Sequence, residues 1–474
     1  MEVFEKILAS MNDLLWGYIL IAVLIGLGLI FTFGTKFAQF KYIPEMFRVL
    51  FDKRTLSAKG KKGTSAFQAL TISTASRVGT GNLAGVASAI AAGGPGAVFW
   101  MWVIALIGGA TSFVESTLAQ VYKVPDKNQY RGGPAYYMEK GMNKRWLGII
   151  FAVIITFTYG LVFNSVQSNT IRLAFEDSFG ISPGTMAIIL VVLTAGVIFG
   201  GLRSIARVTQ FVVPIMATLY VLLAIVILIM NVTAIPEMIQ LIFLNAFGIR
   251  EIAGGGFGAA IMMGIKRGLF SNEAGMGSAP NAAATAEVTH PVKQGLIQTL
   301  GVFIDTLIIC SATALIILTT EGYAGSALQG IQITQNAFEQ QIGPWASIFV
   351  AVAIFLFAYS SILGNYYYGE TNIEFIKQSK TALTLYRVAV LLMVVFGALQ
   401  EFDIVWNLAD FTMAIMALVN LYAVTALSKV AYRALKDYNA QRKQGKDPVF
   451  YRENFKDIQG IEYWHKNQVD SEEK

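Results

Sequence analysis

The 474-residue chain has little charge, one cysteine and two histidines. Only 14% of residues are Asp, Glu, Lys or Arg, against 55% hydrophobic, where soluble domains carry roughly a quarter charged. A chain so poor in charge and so rich in apolar residues is a polytopic membrane protein. The lone cysteine, Cys310, excludes an intramolecular disulfide. With it, His290 and His465 are too few for a Cys/His metal cage. The formal net charge of +6 does not read as nucleic-acid binding, because in a membrane protein basic residues have to be read loop by loop. No cleavable leader is expected, since Met1 to Asn12 carries Glu2, Glu5 and only Lys6 before the first apolar run.

What the chain does have is long apolar segments. Stretches of about 20 residues, the length that crosses a bilayer, fall near 13–33, 66–92, 97–122, 147–172, 183–200, 208–231, 255–288, 295–320, 345–367, 383–399 and 404–427. That is eleven expected transmembrane helices. Of the 36 lysines and arginines, thirty lie in alternate loops: 34–63, 123–145, 201–207, 289–293, 377–387 and 428–474. The positive-inside rule therefore puts the N-terminus outside and the C-terminus in the cytoplasm.

Two of these spans are interrupted. Arg77-Val-Gly-Thr-Gly-Asn82 and Gly268-Leu-Phe-Ser-Asn-Glu-Ala-Gly-Met-Gly277 put glycines and polar groups inside apolar runs. Each interior glycine costs roughly 1 kcal/mol of helix propensity relative to alanine. Backbone freed in this way is tolerated at membrane depth only where protein buries it or a cavity faces it. Setting span 1 aside, each broken span opens a group of five. Five is odd, so the groups insert in opposite senses as an inverted 5+5 repeat, and paired breaks of this kind mark a transporter's binding site. The expected organisation is an extra N-terminal span and basic segment (1–63), a first repeat (64–231), an outer loop (232–253), a second repeat (254–431) and a cytoplasmic tail (432–474), to which no motif is assigned. Residues 34–63 read either as an interfacial amphipathic helix or as a basic loop. Gly325 to Pro344 reads as an outer loop with a short helix.

Other readings of the breaks fail or stay open. Gly79-Thr-Gly-Asn-Leu-Ala84 fits GxGxxA, but the dinucleotide fingerprint needs a preceding strand and a βαβ context. The cluster at Lys59 to Thr64 lacks Walker A spacing, so ATP drive is not indicated. Close helix packing by small residues is the bland alternative, but packing alone does not call for Thr80, Asn82, Ser271, Asn272 and Glu273 there. A broken helix offers N–H groups to a carboxylate and carbonyls to a cation.

Five motifs in order carry a family resemblance: Phe67-Gln-Ala-Leu70, Arg77-Val-Gly-Thr-Gly-Asn-Leu-Ala-Gly-Val86, Gly93-Gly-Pro-Gly-Ala-Val-Phe-Trp-Met-Trp102, Arg131-Gly-Gly-Pro-Ala-Tyr-Tyr-Met138 and Gly268 to Pro280. Over residues 60 to 430 the chain resembles the alanine/glycine:cation symporter family. The resemblance implies a leucine-transporter-type fold, sodium- or proton-coupled import of small neutral amino acids such as alanine and glycine, and residence in a prokaryotic inner membrane. It implies substrate contacts at Gly79, Thr80, Gly81, Asn82, Phe163, Gln167, Phe270, Ser271, Gly275, Met276 and Asn365. For the cation it implies the carbonyls of Ala75 and Val78 with the hydroxyls of Ser360 and Ser361, all oxygen ligands suited to a hard ion. Own-helix hydrogen bonds are the alternative for the serines, and interhelical packing for Gln167 and Met276. Many relatives carry tryptophan where Asn365 stands and lack a charge where Arg77 stands.

Arg77 requires a neutralising partner, since a charge at mid-membrane costs at least ~2.5–3.5 kcal/mol. Asp305 matches its depth best, with Glu273 second and Glu115 shallower. The pair either replaces a second cation or locks span 2 to span 8. The favoured function is thus a secondary active symporter, with no enzyme activity, no cofactor beyond sodium as co-substrate, and no obligate protein partner indicated. A passive channel would want a continuous polar pore lining, and a membrane-embedded enzyme a catalytic dyad or metal set that the sequence does not offer.

Overall fold

The computed structural model describes residues 2–51, 64–126, 129–199, 202–249, 256–323 and 327–466. Nearly all of them are helical, and the only strands among them, Val124–Asp126 and Gln129–Arg131, form one small antiparallel hairpin. Among the described residues, seven helices are long and apolar enough to cross a membrane, eight if the bent pair Pro214–Met230 and Ile235–Ala246 counts as one span. The protein is therefore multi-pass. The apolar helices Gly81–Gly93 and Pro183–Ile198 are too short for that test but coincide with two expected spans.

Gly96–Val121 is the central helix, and nearly every residue from Gly108 to Val121 is buried. Small residues let its neighbours close on it. A Cβ on Gly264 would lie 2.4 Å from the Ala97 carbonyl, and one on Gly295 would lie 2.3 Å from Thr117 Oγ1. In lipid, such close approach replaces the hydrophobic drive that water supplies elsewhere. Pro291–Phe303 and Phe257–Asn272 pack against it in this way.

Several boundaries differ from the expectation. The presumed outer loop 232–253 contains the helix Ile235–Ala246, set at 101° to the preceding one, and its residues 250–253 lie outside the described residues. The last helix, Phe402–Lys443, runs well past the expected end at 427, so the tail begins as a helical extension. In 34–63 the short helices Ala38–Lys41 and Ile43–Leu50 form, with Met46 and Val49 buried and Phe37, Phe40, Phe47 and Phe51 exposed, which favours the amphipathic reading. Residues 52–63 lie outside the described residues, as do 324–326 of the expected outer loop, where the helix Ile331–Ile342 forms.

Candidate functional site at the two helix breaks

The first broken span starts at a capping box. Ser65 Oγ accepts from the Gln68 N–H while Gln68 Oε1 accepts from the Ser65 N–H, which satisfies two orphan donors of the helix Ala66–Arg77. Helical geometry stops at Val78 (φ −79°, ψ 96°) and resumes as a π-helical turn, Gly81–Gly85, leading into Val86–Gly93. The second broken span, Phe257–Asn272, ends at Glu273 in left-handed conformation (φ 59°), continues through Gly275 (φ 93°) and Gly277 (φ 82°), and re-forms as Ala279–Ala283. Two further π-helical stretches, Thr158–Phe163 and Ile304–Cys310, carry Phe163 and Asp305 to the same region. Such bulges free backbone groups and are frequent at functional sites.

The breaks touch directly. A Cβ on Gly81 would lie 3.0 Å from Ser271 Cα, and one on Gly79 would lie 2.3 Å from Ser361 Oγ and 3.1 Å from Gln167 Oε1. The Gly79 N–H donates to Asn82 Oδ1 (2.9 Å), and the Thr80 N–H and hydroxyl both donate to Gln167 Oε1 (3.2 and 2.7 Å). Asn82 Nδ2 donates to Asp305 Oδ1 at 2.7 Å and to Ser271 Oγ at 3.0 Å, and the Ser271 hydroxyl donates to Asp305 Oδ2 at 2.7 Å. Thr306 donates to the same oxygen at 2.9 Å. One carboxylate thus holds a residue from each break. All of these groups are buried, so each hydrogen bond stands against the full desolvation cost of its partners.

Phe270 is the centre of an aromatic wall, 4.8 Å from the Phe163 ring and 4.9 Å from the Trp406 ring. Tyr159 extends it beyond Phe163 and lies with its hydroxyl 3.9 Å from Met276 Sδ. Asn365 Oδ1 is 3.0 Å from Ser76 Oγ, and Ser76 Oγ is 2.7 Å from Glu273 Oε1. Ser361 donates to the Ala75 carbonyl at 2.9 Å, bringing together two of the expected cation ligands. Ser361 also donates to the Phe357 carbonyl of its own helix (3.1 Å), and Ser360 donates to that carbonyl alone (2.8 Å).

The expected Arg77–Asp305 contact is absent. Arg77 is buried, yet among the described residues its guanidinium makes no ion pair within 4.0 Å, and only Nη1 donates, to the Gln298 carbonyl at 3.3 Å. Asp305 instead faces Asn82, Ser271 and Thr306. Glu273, the second candidate, accepts from Ser76 and from Ser278 (2.6 Å). Glu115, the third, accepts from the Gly275 N–H (3.0 Å) and from Asn420 Nδ2 (2.8 Å), clamping the second break to the central and last helices. All three carboxylates serve the unwound backbone or its flanking side chains, because lipid cannot.

The sequence reading missed Glu115's clamp, Asn420, Trp406 and Asp410. Asp410 takes a bidentate pair from Arg267 (2.8 and 3.0 Å) and one from Lys266 (3.1 Å), while the Arg267 guanidinium lies 4.3 Å from the Trp406 ring centroid. An acidic residue inside the apolar run 404–427 was the available signal, since an ionisable group within a span calls for a named partner.

With this geometry in view, comparison with known proteins gives a consistent result. A family model described as the sodium:alanine symporter family matches residues 1–452. The amino-acid carrier protein AlsT of Bacillus subtilis is 57% identical over 465 residues, covering 97% of this chain and 98% of that one. The probable sodium/glutamine symporter GlnT of the same organism is 53% identical, covering 98% and 96%. The sodium/alanine symporter AgcS of Methanococcus maripaludis is 38% identical, covering 93% and 98%. Among solved structures, a manganese transporter of Eremococcus coleocola aligns at TM-score 0.54 with 12% identity, over 84% of this chain and 93% of that one, a likeness of fold alone. A chain with this coverage and these broken spans belongs to the sodium:alanine symporter family.

Proposed function

We propose that the protein is a secondary active symporter that imports small neutral amino acids, alanine and glycine first, with sodium as co-substrate, by alternating access. The observation that carries the reading is the contact of the two breaks through Asn82, Asp305 and Ser271, with Ser361 on the Ala75 carbonyl beside them. A neutral-oxygen set of carbonyl and hydroxyl suits sodium, a hard cation that takes oxygen ligands. The substrate lies against Gly79 to Asn82, Gln167, the Phe163–Phe270 wall, Ser271 to Met276 and Asn365. In this reading the chain spans the membrane eleven times, as a 5+5 inverted repeat after one extra span, in a prokaryotic inner membrane with the N-terminus outside.

A larger neutral substrate is the second reading. Asn365, a short polar side chain buried beside Ser76, favours it, and one relative's name is a sodium/glutamine symporter. Proton coupling is the alternative for the ion, and passive conduction the remaining one for the mechanism. Uptake of alanine, glycine and glutamine into proteoliposomes, with and without a sodium gradient, tests all of these. Sodium-dependent accumulation against a gradient is expected, together with counterflow of labelled against unlabelled substrate. Accumulation driven by a pH gradient in sodium-free buffer selects the proton, and uptake without counterflow selects a channel.

A further inference from the structure

We propose that the terminal segment 447–464 is a latch that clasps the cytoplasmic ends of the central helix and the second broken span, and must release for the protein to open inward. The proposal rests on the alternating-access reading above and adds to it that the end of the second broken span moves when the site opens inward.

The tail is not a loose extension. Trp464 is fully buried, and its indole N–H donates to the Gln120 carbonyl at 2.9 Å, at the end of Gly96–Val121. The Phe450 N–H donates to the Thr289 carbonyl at 2.9 Å, and the Arg452 N–H to the Trp464 carbonyl at 2.9 Å, folding the segment on itself. Beneath it, Gln120 Nε2 donates to the carbonyls of Ala283 (2.5 Å) and Ala286 (3.0 Å), where the second broken span ends. The tail thus sits on the residues through which that span is tied to the central helix.

Lys123 is the pin. Its ammonium lies 4.2 Å from the Tyr130 ring centroid, 4.8 Å from Tyr463 and 4.5 Å from Trp464, and it donates to the Ala286 carbonyl at 3.1 Å. Only 1% of Lys123 is exposed. A buried ammonium needs compensation, and aromatic faces supply it electrostatically. Two of the three rings come from the tail, so the tail packs directly on the buried ammonium. Around the rim, Lys293 meets Asp447 (2.8 Å), Lys140 meets Glu462 (2.6 Å) and Arg433 meets Asp457 (2.5 Å), joining the tail to three helices.

On the far side of the strand pair, Tyr130 and Arg131 line a polar cavity of about 190 Å³ with Tyr367, Glu370, Thr371 and Glu374. Arg131 is paired with Glu374 and with Asp126. The family match ends at residue 452, so Tyr463 and Trp464 lie beyond it.

The test uses the full-length protein in inside-out vesicles and a membrane-impermeant thiol reagent. Ala283→Cys places a reporter under the latch, in a Cys310→Ala background because Cys310 lies against Asn82 and Ser271 at the site itself, and a monodisperse size-exclusion profile of the detergent-extracted protein reports that each variant is folded. Trp464→Ala is expected to raise the labelling rate of the 283 reporter by about tenfold or more while the protein stays monodisperse, because the buried indole and its hydrogen bond to the Gln120 carbonyl are lost. The milder Lys140→Glu is expected to raise labelling by about threefold, and adding Glu462→Lys to return it, since a swapped pair regains its attraction. Unchanged labelling in Trp464→Ala overturns the latch, as does faster labelling only in protein that has lost its monodisperse profile, or a charge swap that restores nothing. The readout needs no substrate, so its failure is distinct from failure of the symporter reading, which sodium-dependent uptake by the wild-type protein decides.

Discussion

Asn82 and Asp305 are 2.7 Å apart, an amide from the first helix break donating to a buried carboxylate whose other oxygen accepts from Ser271 of the second break. The two interrupted segments are thereby held by one side chain. Removing it takes the carboxylate acceptor from both donors, at about 1–3 kcal/mol each, and leaves Asn82 with Ser271 Oγ and Ser271 with Cys310 Sγ as weaker partners. Asp305→Ala is expected to weaken substrate binding by about tenfold or more, measured as apparent affinity in proteoliposome uptake. Normal affinity would mean that the breaks are positioned without Asp305.

Gln167 holds the first break from the other side, accepting two hydrogen bonds from Thr80. Gln167→Ala is expected to lower apparent substrate affinity by about tenfold. In a cycle with Thr80→Ala the double variant should lose less than the sum of the two single losses, because the shared contact is lost only once. Additive losses would separate the two residues.

The two serines of the expected cation site are not equivalent. Ser361 reaches the Ala75 carbonyl, whereas Ser360 serves its own helix. Ser361→Ala is therefore expected to raise the sodium concentration for half-maximal uptake by more than Ser360→Ala does. The sodium dependence of initial rates measures both, and the reverse order would place the ion elsewhere.

Gly79 has no room for a side chain. A Cβ there would lie 2.3 Å from Ser361 Oγ, and overpacking of this kind costs about 1–3 kcal/mol. Gly79→Ala is expected to reduce uptake strongly at normal membrane abundance, and combining it with Ser361→Ala should recover substrate affinity but not sodium affinity.

Arg77 and Asp305 do not pair, so removing both should not be a rescue. Arg77→Ala with Asp305→Ala is expected to transport less than either single variant, since Asp305 serves Asn82, Ser271 and Thr306. Recovery of uptake in the double variant would show that the two charges neutralise each other in another state of the cycle.

Much of the candidate site was legible in the chain because lipid limits the choices. Glycine beside Thr80 and Asn82, or beside Ser271 and Glu273, inside an apolar run has few physical meanings when unwound backbone must find protein partners. The structure does place Gly79, Gly81, Asn82, Gln167, Phe270 and Ser271 together. Of the residues expected to hold a cation, the structure brings the Ser361 hydroxyl onto the Ala75 carbonyl. Trp406 was not, because an aromatic residue in a membrane helix carries no mark that separates a site wall from packing.

By itself the sequence determined that this is a multi-pass membrane protein, that two spans are interrupted and where, and which motifs tie it to its family. Those properties are local: hydropathy, glycine placement and the order of motifs along the chain. Only the tertiary structure decided which partner each buried charge takes. Asn82 and Asp305 are 223 positions apart, Arg267 and Asp410 143, and Gln120 and Trp464 344. Counting residues from a helix end gives the depth of Arg77 but not the direction in which it faces. Direction around a helix axis is set by packing against neighbours from distant parts of the chain, and that is why Asp305 meets Asn82 rather than Arg77.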